Sequence, residues 1–443
     1  MKNKNNIQKI GLLTAISYVI ANMVGTGVFT SLGFQLAGGV TDIAAIMILW
    51  LMGGIIAFTG AQVYGEIGSV MPRSGGEYHF LSELYHPALG FMSGFFSMFV
   101  GFAAPIALAA MALGAYFANV YTGIDPRYIA AAVIVLITVV HSTGVRSGGI
   151  FQLVFTIIKI VLIVGFIVAG LFFAPEHQEI SVIPTKISWS QIMSAGFAVS
   201  LIYVYYSYSG WNASAYFVSE MKNPLKNLPR SLIIGTLIVT VMYLLLNFVF
   251  VYVSPVANLS GQLDVGAVAA GDIFGREGGV IMSGLISLLL ISTISSMVFA
   301  GPRVIQVIGE DYKALGFMSK KRPNGVPLTA ILVQSSISLI LLFTSTFEAL
   351  LTYLGFVMNV FAFMTVLGVF VHRIKHPNME RPYKTKGYPV VPIIFLMFVI
   401  WNVIYLFKEK TTETLIGLVT LVVSLVIYFI VNSISKNKFE NEK

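Results

Sequence analysis

Cysteine is absent from the 443 residues, and only 10% of them are charged. Without cysteine the chain forms no disulfide and no thiolate metal site, and cysteine usage says nothing of its compartment. Soluble domains carry about 25% charged residues, so a charge-poor chain with 57% hydrophobic residues needs a different solvent. Histidine is also scarce. All six histidines fall at or outside the ends of apolar runs, which disfavours a histidine proton relay or metal centre. Neither an HExxH nor a GxSxG motif occurs, so an intramembrane enzyme is a poor reading. No stretch is polar enough for a separate soluble domain, which leaves a non-transporting membrane sensor as a weaker alternative. No cofactor is expected. The first apolar run, from about Ile10 past Thr30, lacks a small-residue cleavage site and is expected to stay in the mature chain.

What the chain has is apolar runs near the length that spans a bilayer, about 20 residues each, from end to end. They predict an all-α integral membrane protein of one polytopic domain, residues 1–443. Twelve spans are placed, beginning near residues 10, 43, 88, 128, 150, 191, 231, 278, 327, 349, 389 and 413. With both termini on the cytoplasmic side, 21 of the 27 Lys and Arg fall in inner segments, five in outer loops, and Lys159 inside a span. That asymmetry is the positive-inside signal of a multi-pass protein, expected in the cell membrane. The formal charge of +8 therefore reflects topology, and nucleic acid is not an expected partner.

Two apolar runs are interrupted. "ANMVGTGVFT", Ala21 to Thr30, places Gly25, Thr26 and Gly27 where a buried helix favours residues that pack and keep its backbone ladder closed. "YVYYSYSGWNAS", Tyr203 to Ser214, sets serines, a glycine and an asparagine in the sixth run, five spans later. Irregular backbone at membrane depth is tolerated only where protein or a water-filled cavity satisfies it. Inverted-repeat transporters place discontinuous helices at corresponding positions of their halves, here residues 10–173 and 191–373, with two extra helices at 389–433. Close helix packing through Gly25 and Gly27 is the alternative, and the tyrosines and Trp211 also suit a core.

Several strings taken together resemble a known family. "GTGVF" at Gly25 to Phe29, "PRSGGEY" at Pro72 to Tyr78, "YSGWN" at Tyr208 to Asn212 with "EMKNPLKNLPRS" at Glu220 to Ser231, "GPR" at Gly301 to Arg303 and "RPYKTKGYPVVP" at Arg381 to Pro392 occur in family order. They are similar to the amino acid-polyamine-organocation superfamily, and in particular to bacterial permeases akin to the L-type amino acid transporters. The resemblance implies a LeuT-like fold of five plus five inverted repeats within twelve transmembrane helices, and amino acid transport by alternating access.

An amino acid carries a carboxylate and an ammonium, and broken helices supply partners for both. Freed N–H groups around Thr26, Gly27 and Val28 suit the carboxylate, helped by a helix N-terminus. Gly25 and Gly27 let a ligand approach the backbone. Carbonyls near Asn22 and Met23, and those of Tyr206 and Ser209 beside Gly210, suit the ammonium. The resemblance assigns Tyr206 as an aromatic lid, matches Trp211 and Asn212 to a tryptophan-asparagine pair with Asn212 as a polar strut, and puts Ser295 and Ser296 where some relatives carry a bulky aromatic. Gly101 is expected to border the site.

Lys159, in "FTIIKIVLIVG", is the one basic residue well inside a span, and a buried ammonium must be paired or neutralised. In relatives a lysine here takes the place of a bound cation. Lys159 is accordingly expected to reach carbonyls near Gly25 and to couple binding to closure; snorkelling to the cytoplasmic edge is the alternative. Glu66, Glu220 and Glu310 are expected to pair with loop arginines such as Arg73, Arg230 or Arg303. No carboxylate lies at mid-depth in spans 1, 3, 6 or 8, which favours a neutral amino acid. A cationic amino acid or polyamine held by cation–π contacts is the alternative. Coupling to protons or to a counter-substrate is open, whereas Lys159 argues against simple sodium dependence.

Overall fold

A computed structural model describes residues 9–409 and 411–440, so Lys2, Lys4, Lys410 and Lys443, which enter the orientation argument, lie outside the described residues. Those described are helical, with no strand beyond a single isolated bridge between Ile10 and Met221. In chain order the helices are α1 (Leu12–Met23), α2 (Gly27–Ala37), α3 (Ile43–Val70), α4 (Glu77–Leu84), α5 (Pro87–Phe96), α6 (Ala103–Ala118), α7 (Pro126–Thr143) and α8 (Val145–Phe172). Then come α9 (Lys186–Ile192), α10 (Ala195–Ser207), α11 (Pro224–Val253), α12 (Val256–Leu259), α13 (Val265–Asp311), α14 (Leu328–Thr344), α15 (Phe347–Lys375), α16 (Val390–Glu409) and α17 (Thr411–Glu440).

Local chemistry sets the helix starts. The Asp42 carboxylate accepts from the Ala45 amide at 3.0 Å at the head of α3, and Ser194 accepts from the Phe197 amide at 3.2 Å at the head of α10; both satisfy donors that a first turn leaves free. Proline stands in the first turn of α5, α7 and α11, where its missing N–H costs nothing.

Ten helical stretches among the described residues are long and apolar enough to cross a membrane, and the chain is a multi-pass membrane protein. The pair α9 and α10, bent by 69°, forms an eleventh candidate, and α14 is a shorter apolar helix. Two spans differ from their sequence outline. The eighth was placed from about residue 278, but its helix begins at Val265 and breaks at Gly275, whose φ of 77° glycine alone adopts without strain. The sixth was placed from about residue 191, but α10 starts at Ala195 and ends at Ser207. Beyond the turn at Tyr208 to Asn212 the chain continues as a 3-10 helix over Ala213–Glu220.

Small residues bring the central helices together. A Cβ on Gly53 of α3 would lie 2.9 Å from the Tyr208 ring, and one on Gly54 would lie 3.0 Å from Thr240 Oγ1 of α11. Close backbone approach of this kind is what holds helices where lipid removes the hydrophobic drive.

Ion pairs tie the loops at one end of the bundle. Arg303 reaches Glu220 at 3.1 Å and Arg73 lies 4.0 Å from Glu310, as expected, although Arg73 bonds more closely to Asp311 at 2.6 Å. Glu66 also pairs with arginines, Arg381 of the loop before α16 among them, though with none of the three named. Its two oxygens accept from Arg373 Nε and a terminal Arg373 nitrogen, each at 2.8 Å, and from the Thr385 amide at 2.7 Å, with Arg381 Nε at 3.4 Å. Arg230 has no carboxylate partner among the described residues. The "RPYKTKGY" segment thus folds back onto α3 because Glu66, buried there, needs cations.

Glu66→Ala would leave Arg373 and Arg381 facing a buried void. Loss of one member of a buried pair costs roughly 3–5 kcal/mol, so the purified variant should melt at a clearly lower temperature than wild type, with Glu66→Gln falling between. Equal melting temperatures for all three would show that this clamp carries no stability.

Candidate functional site

The first span breaks because Val24, at φ −76° and ψ 85°, leaves helical geometry and α2 restarts only at Gly27. The Gly25 amide turns back to the Met23 carbonyl at 2.8 Å. The amides of Thr26, Gly27 and Val28 have no backbone acceptor among the described residues, as the first turn of a new helix dictates. Five spans on, Gly210 turns the chain at φ +96°. The two breaks touch. A Cβ on Gly210 would lie 2.8 Å from the Asn22 carbonyl carbon, and one on Gly27 would lie 2.6 Å from Ser207 Cα. Glycine is required at both positions because main chain packs on main chain.

Three side chains from other helices take up the carbonyls freed at the first break. Lys159 of α8 donates from Nζ to the Val24 carbonyl at 2.5 Å and to Thr293 Oγ1 at 2.8 Å, with the Ala21 carbonyl at 3.5 Å. Thr293 of α13 donates to the same Val24 carbonyl at 2.9 Å. The Tyr243 hydroxyl of α11 lies 2.5 Å from the Met23 carbonyl and 2.9 Å from that of Ser207, so one phenol bridges both breaks. Lys159 is fully buried and is the last member of a polar stripe. Gln152 and Thr156, spaced to share its helix face, bond toward Ser292 at 3.3 Å and the Ser17 carbonyl at 3.4 Å.

Between the breaks lies a small cavity, about 10 Å³, bordered by Asn22, Met23, Gly25, Thr26 and Gly27, by Tyr206, Ser207 and Ser209, and by four residues of α6 and α13. Those four are Pro105, Ala109, Thr293 and Met297. No charged side chain is among its walls. Tyr206 is buried there beside Thr26. A second small cavity, also about 10 Å³, is lined by apolar residues such as Phe166 and Phe250, and offers no side-chain donor or acceptor to hold a zwitterion.

Other expected residues sit elsewhere. Val28 and Gly210 stand beside the cavity without lining it. Gly101 ends a π-helical stretch over Ser97–Gly101 and faces the Phe96 ring; Pro105 and Ala109, one and two turns on, take the wall. Trp211 packs edge-on to Tyr64 at 4.6 Å and to Phe395 at 6.2 Å. Asn212 donates to Glu77 Oε1 at 3.2 Å and to the Tyr216 hydroxyl at 3.1 Å, which makes it a strut away from the cavity. Ser295 bonds with His141 at 2.8 Å, and Ser296 donates to the Thr293 carbonyl at 2.8 Å. The wall of α13 is instead Thr293 and Met297, four residues apart on one face.

Comparison with known proteins then places the chain. The family profile described as "Amino acid permease" matches residues 10–432. The chain belongs to this family, within the amino acid-polyamine-organocation superfamily. It is 31% identical over 400 residues to the serine/threonine exchanger SteT of Bacillus subtilis (strain 168), covering 88% of this chain and 89% of that protein. To the b(0,+)-type amino acid transporter 1 of Mus musculus it is 28% identical over 441 residues, covering 97% and 89%. To the large neutral amino acids transporter small subunit 2 of Mus musculus it is 27% identical over 443 residues, covering 96% and 81%. The family is one of transporters, not enzymes.

Sequence reasoning missed Tyr243, Thr293 and Met297 in this permease. Tyr243 and Thr293 are polar groups in apolar runs, "TVMYLLLN" and "LLLISTIS", and that is a usable signal, since a buried hydroxyl needs a partner. Met297 carries none. Lys159→Met would remove a charged donor, an interaction worth roughly 1.5–3 kcal/mol, and Tyr243→Phe a neutral one, worth about 1 kcal/mol. Amino acid uptake per folded molecule in proteoliposomes should fall at least about tenfold for Lys159→Met and by a smaller factor for Tyr243→Phe, with expression unchanged. Wild-type uptake by Lys159→Met would remove this contact from the mechanism.

Proposed function

We propose that the chain is a secondary active transporter of neutral amino acids, working by alternating access around the broken first and sixth spans. The observation that carries this reading is the cavity that residues of both breaks border and whose lining holds no charged side chain. The amides of Thr26, Gly27 and Val28 would receive the substrate carboxylate at the start of α2, where the helix dipole favours an anion. Carbonyl oxygens of the two breaks would receive the ammonium, with Tyr206 as the lid. A cationic side chain would meet only neutral groups, and none of them is an acid.

In this reading Lys159 occupies the place where a bound cation would otherwise bridge α1 and α13. It holds α8, the first break and Thr293 in one arrangement, so that a shift of the first span is felt by all three. The pairing of interrupted spans supports a LeuT-like arrangement of inverted repeats, residues 10–173 and 191–373, with two further helices at 389–433 and twelve crossings in all. The charge asymmetry supports cytoplasmic termini in a plasma membrane protein. Counter-substrate coupling is the favoured mode, because a relative such as SteT is named an exchanger.

Proteoliposomes decide the matter. Labelled serine, alanine or leucine should enter vesicles preloaded with a neutral amino acid several-fold faster than empty ones, and equally well when choline replaces sodium. Arginine and putrescine should enter at background rates. Uptake of arginine in preference to the neutral amino acids would overturn the substrate assignment, and no uptake of any amino acid would overturn the transport reading.

A further inference from the structure

A buried carboxyl outside the cavity has no part in the site just described. Glu77 is the first residue of α4, the short helix between the second and third spans, and it is buried. Its carboxylate accepts from the Tyr64 hydroxyl of α3 at 2.5 Å and from Asn212 Nδ2 at 3.2 Å. Asn212 belongs to the turn that breaks the sixth span, and its amide also reaches Tyr216 at 3.1 Å. Glu77 therefore joins three elements: the second span, the connecting helix and the unwound part of the sixth.

No cation balances it. From α3 it faces Tyr64, beside which stands Thr365 of α15; from the broken span, Asn212 and Tyr216; from α10, Tyr205. On its own helix Tyr78 donates to Asp311 at 2.7 Å, and His79 is held below its usual range by burial and by Arg73. Arg73, the cation of the adjoining loop, is engaged by Asp311 at 2.6 Å. Among the described residues no Lys, Arg or His nitrogen comes within 4.0 Å of the Glu77 carboxylate. Buried carboxylates are ordinarily paired. This one is held by neutral donors alone.

We propose that Glu77 is a proton-binding site whose occupancy sets how tightly α4 grips the unwound part of the sixth span. As a carboxylate it accepts from Tyr64 and Asn212 together. When a proton from bulk water binds, the group becomes neutral and a donor, the charge-assisted character of both bonds is lost, and Asn212 is released toward Tyr216. Burial pushes the Glu77 carboxyl up to about 7, against the opposing pull of the Tyr64 and Asn212 hydrogen bonds, so the exchange falls in the physiological range. The effect on transport rests on the reading of the sixth span as a moving element; the proton site does not.

Trp211 supplies a readout that needs no transport, because its ring lies edge-on to Tyr64 at 4.6 Å. Full-length protein in lipid nanodiscs, without amino acid, would be titrated from pH 5.5 to 8.5. A Trp211→Phe sample supplies the background of Trp50, Trp189 and Trp401. The Trp211 emission should show one transition near pH 7. Glu77→Gln should abolish it. Tyr64→Phe, which removes a donor that favours the carboxylate, should move it to higher pH, and this variant carries the test should Glu77→Gln not fold. Uptake by wild type should differ several-fold between pH 6 and pH 8, and by Glu77→Gln hardly at all. A flat emission profile in wild-type protein that transports amino acids overturns the proton site and leaves the permease reading intact. A transition lost in Glu77→Gln, in protein that transports nothing, supports the site while the permease reading fails.

Discussion

Opening a helix inside a membrane frees peptide groups that lipid will not satisfy, and the rest of this structure is organised around that constraint. At the first break the Val24 carbonyl is met by Lys159 and Thr293, and the Met23 carbonyl by Tyr243. Each donor comes from a different helix, α8, α13 or α11, so the break is held from three sides. Donors are spent on carbonyls. The amides of Thr26 and Gly27, which border the cavity, are left without a backbone acceptor among the described residues, and in the proposed reading they are the end that takes the substrate carboxylate.

The same constraint explains the glycines. Gly27 on Ser207 and Gly210 on Asn22 are contacts of main chain with main chain, and a methyl group at either would push the breaks apart. Close packing and a ligand site were rival readings of Gly25 and Gly27 in the sequence. In the structure they are not exclusive: Gly27 is pinned by packing and also borders the cavity. Proximity of two breaks produces the close packing and the cavity at once.

How far the sequence revealed this depended on the kind of signal. Lys159 was legible because a lone ammonium in an apolar run has few resting places, and a carbonyl cluster is one of them. The breaks were legible because glycine and polar residues interrupt runs that are otherwise apolar. Tyr243 was not, since a tyrosine among leucines reads as core until its hydroxyl is asked for a partner. Ser295 and Ser296 failed for a different reason: α13 is surrounded by protein along this stretch, so hydropathy gives no face, and only the carbonyl of Val24 selects Thr293. The head of α13 was hidden because the charged, glycine-rich stretch Gly275 to Gly279 parts residues 265–274 from the apolar run that follows, and α4 because an eight-residue helix leaves no periodic trace.

Polar groups in this chain form two tiers. Around the cavity the groups are neutral hydroxyls and peptide bonds plus one ammonium, whereas the buried carboxylate–arginine pairs lie away from it toward a helix end, where Glu66 takes Arg373 and Glu220 takes Arg303. The arrangement follows from cost. An ion pair half in reach of water loses less solvation than one at mid-depth, and a site for a zwitterion built from dipoles needs no fixed charge that a departing substrate would leave uncompensated. Glu220 shows how the tiers connect. Its backbone carbonyl accepts from the Ile10 amide at 2.7 Å while its side chain holds Arg303, so the entrance to α1, the end of the broken sixth span and α13 meet at one residue. In the proposed alternating-access reading, a tilt of α1 that opened the cavity toward this end would strain that junction, and the ion pair there would be a barrier for substrate binding at the breaks to offset.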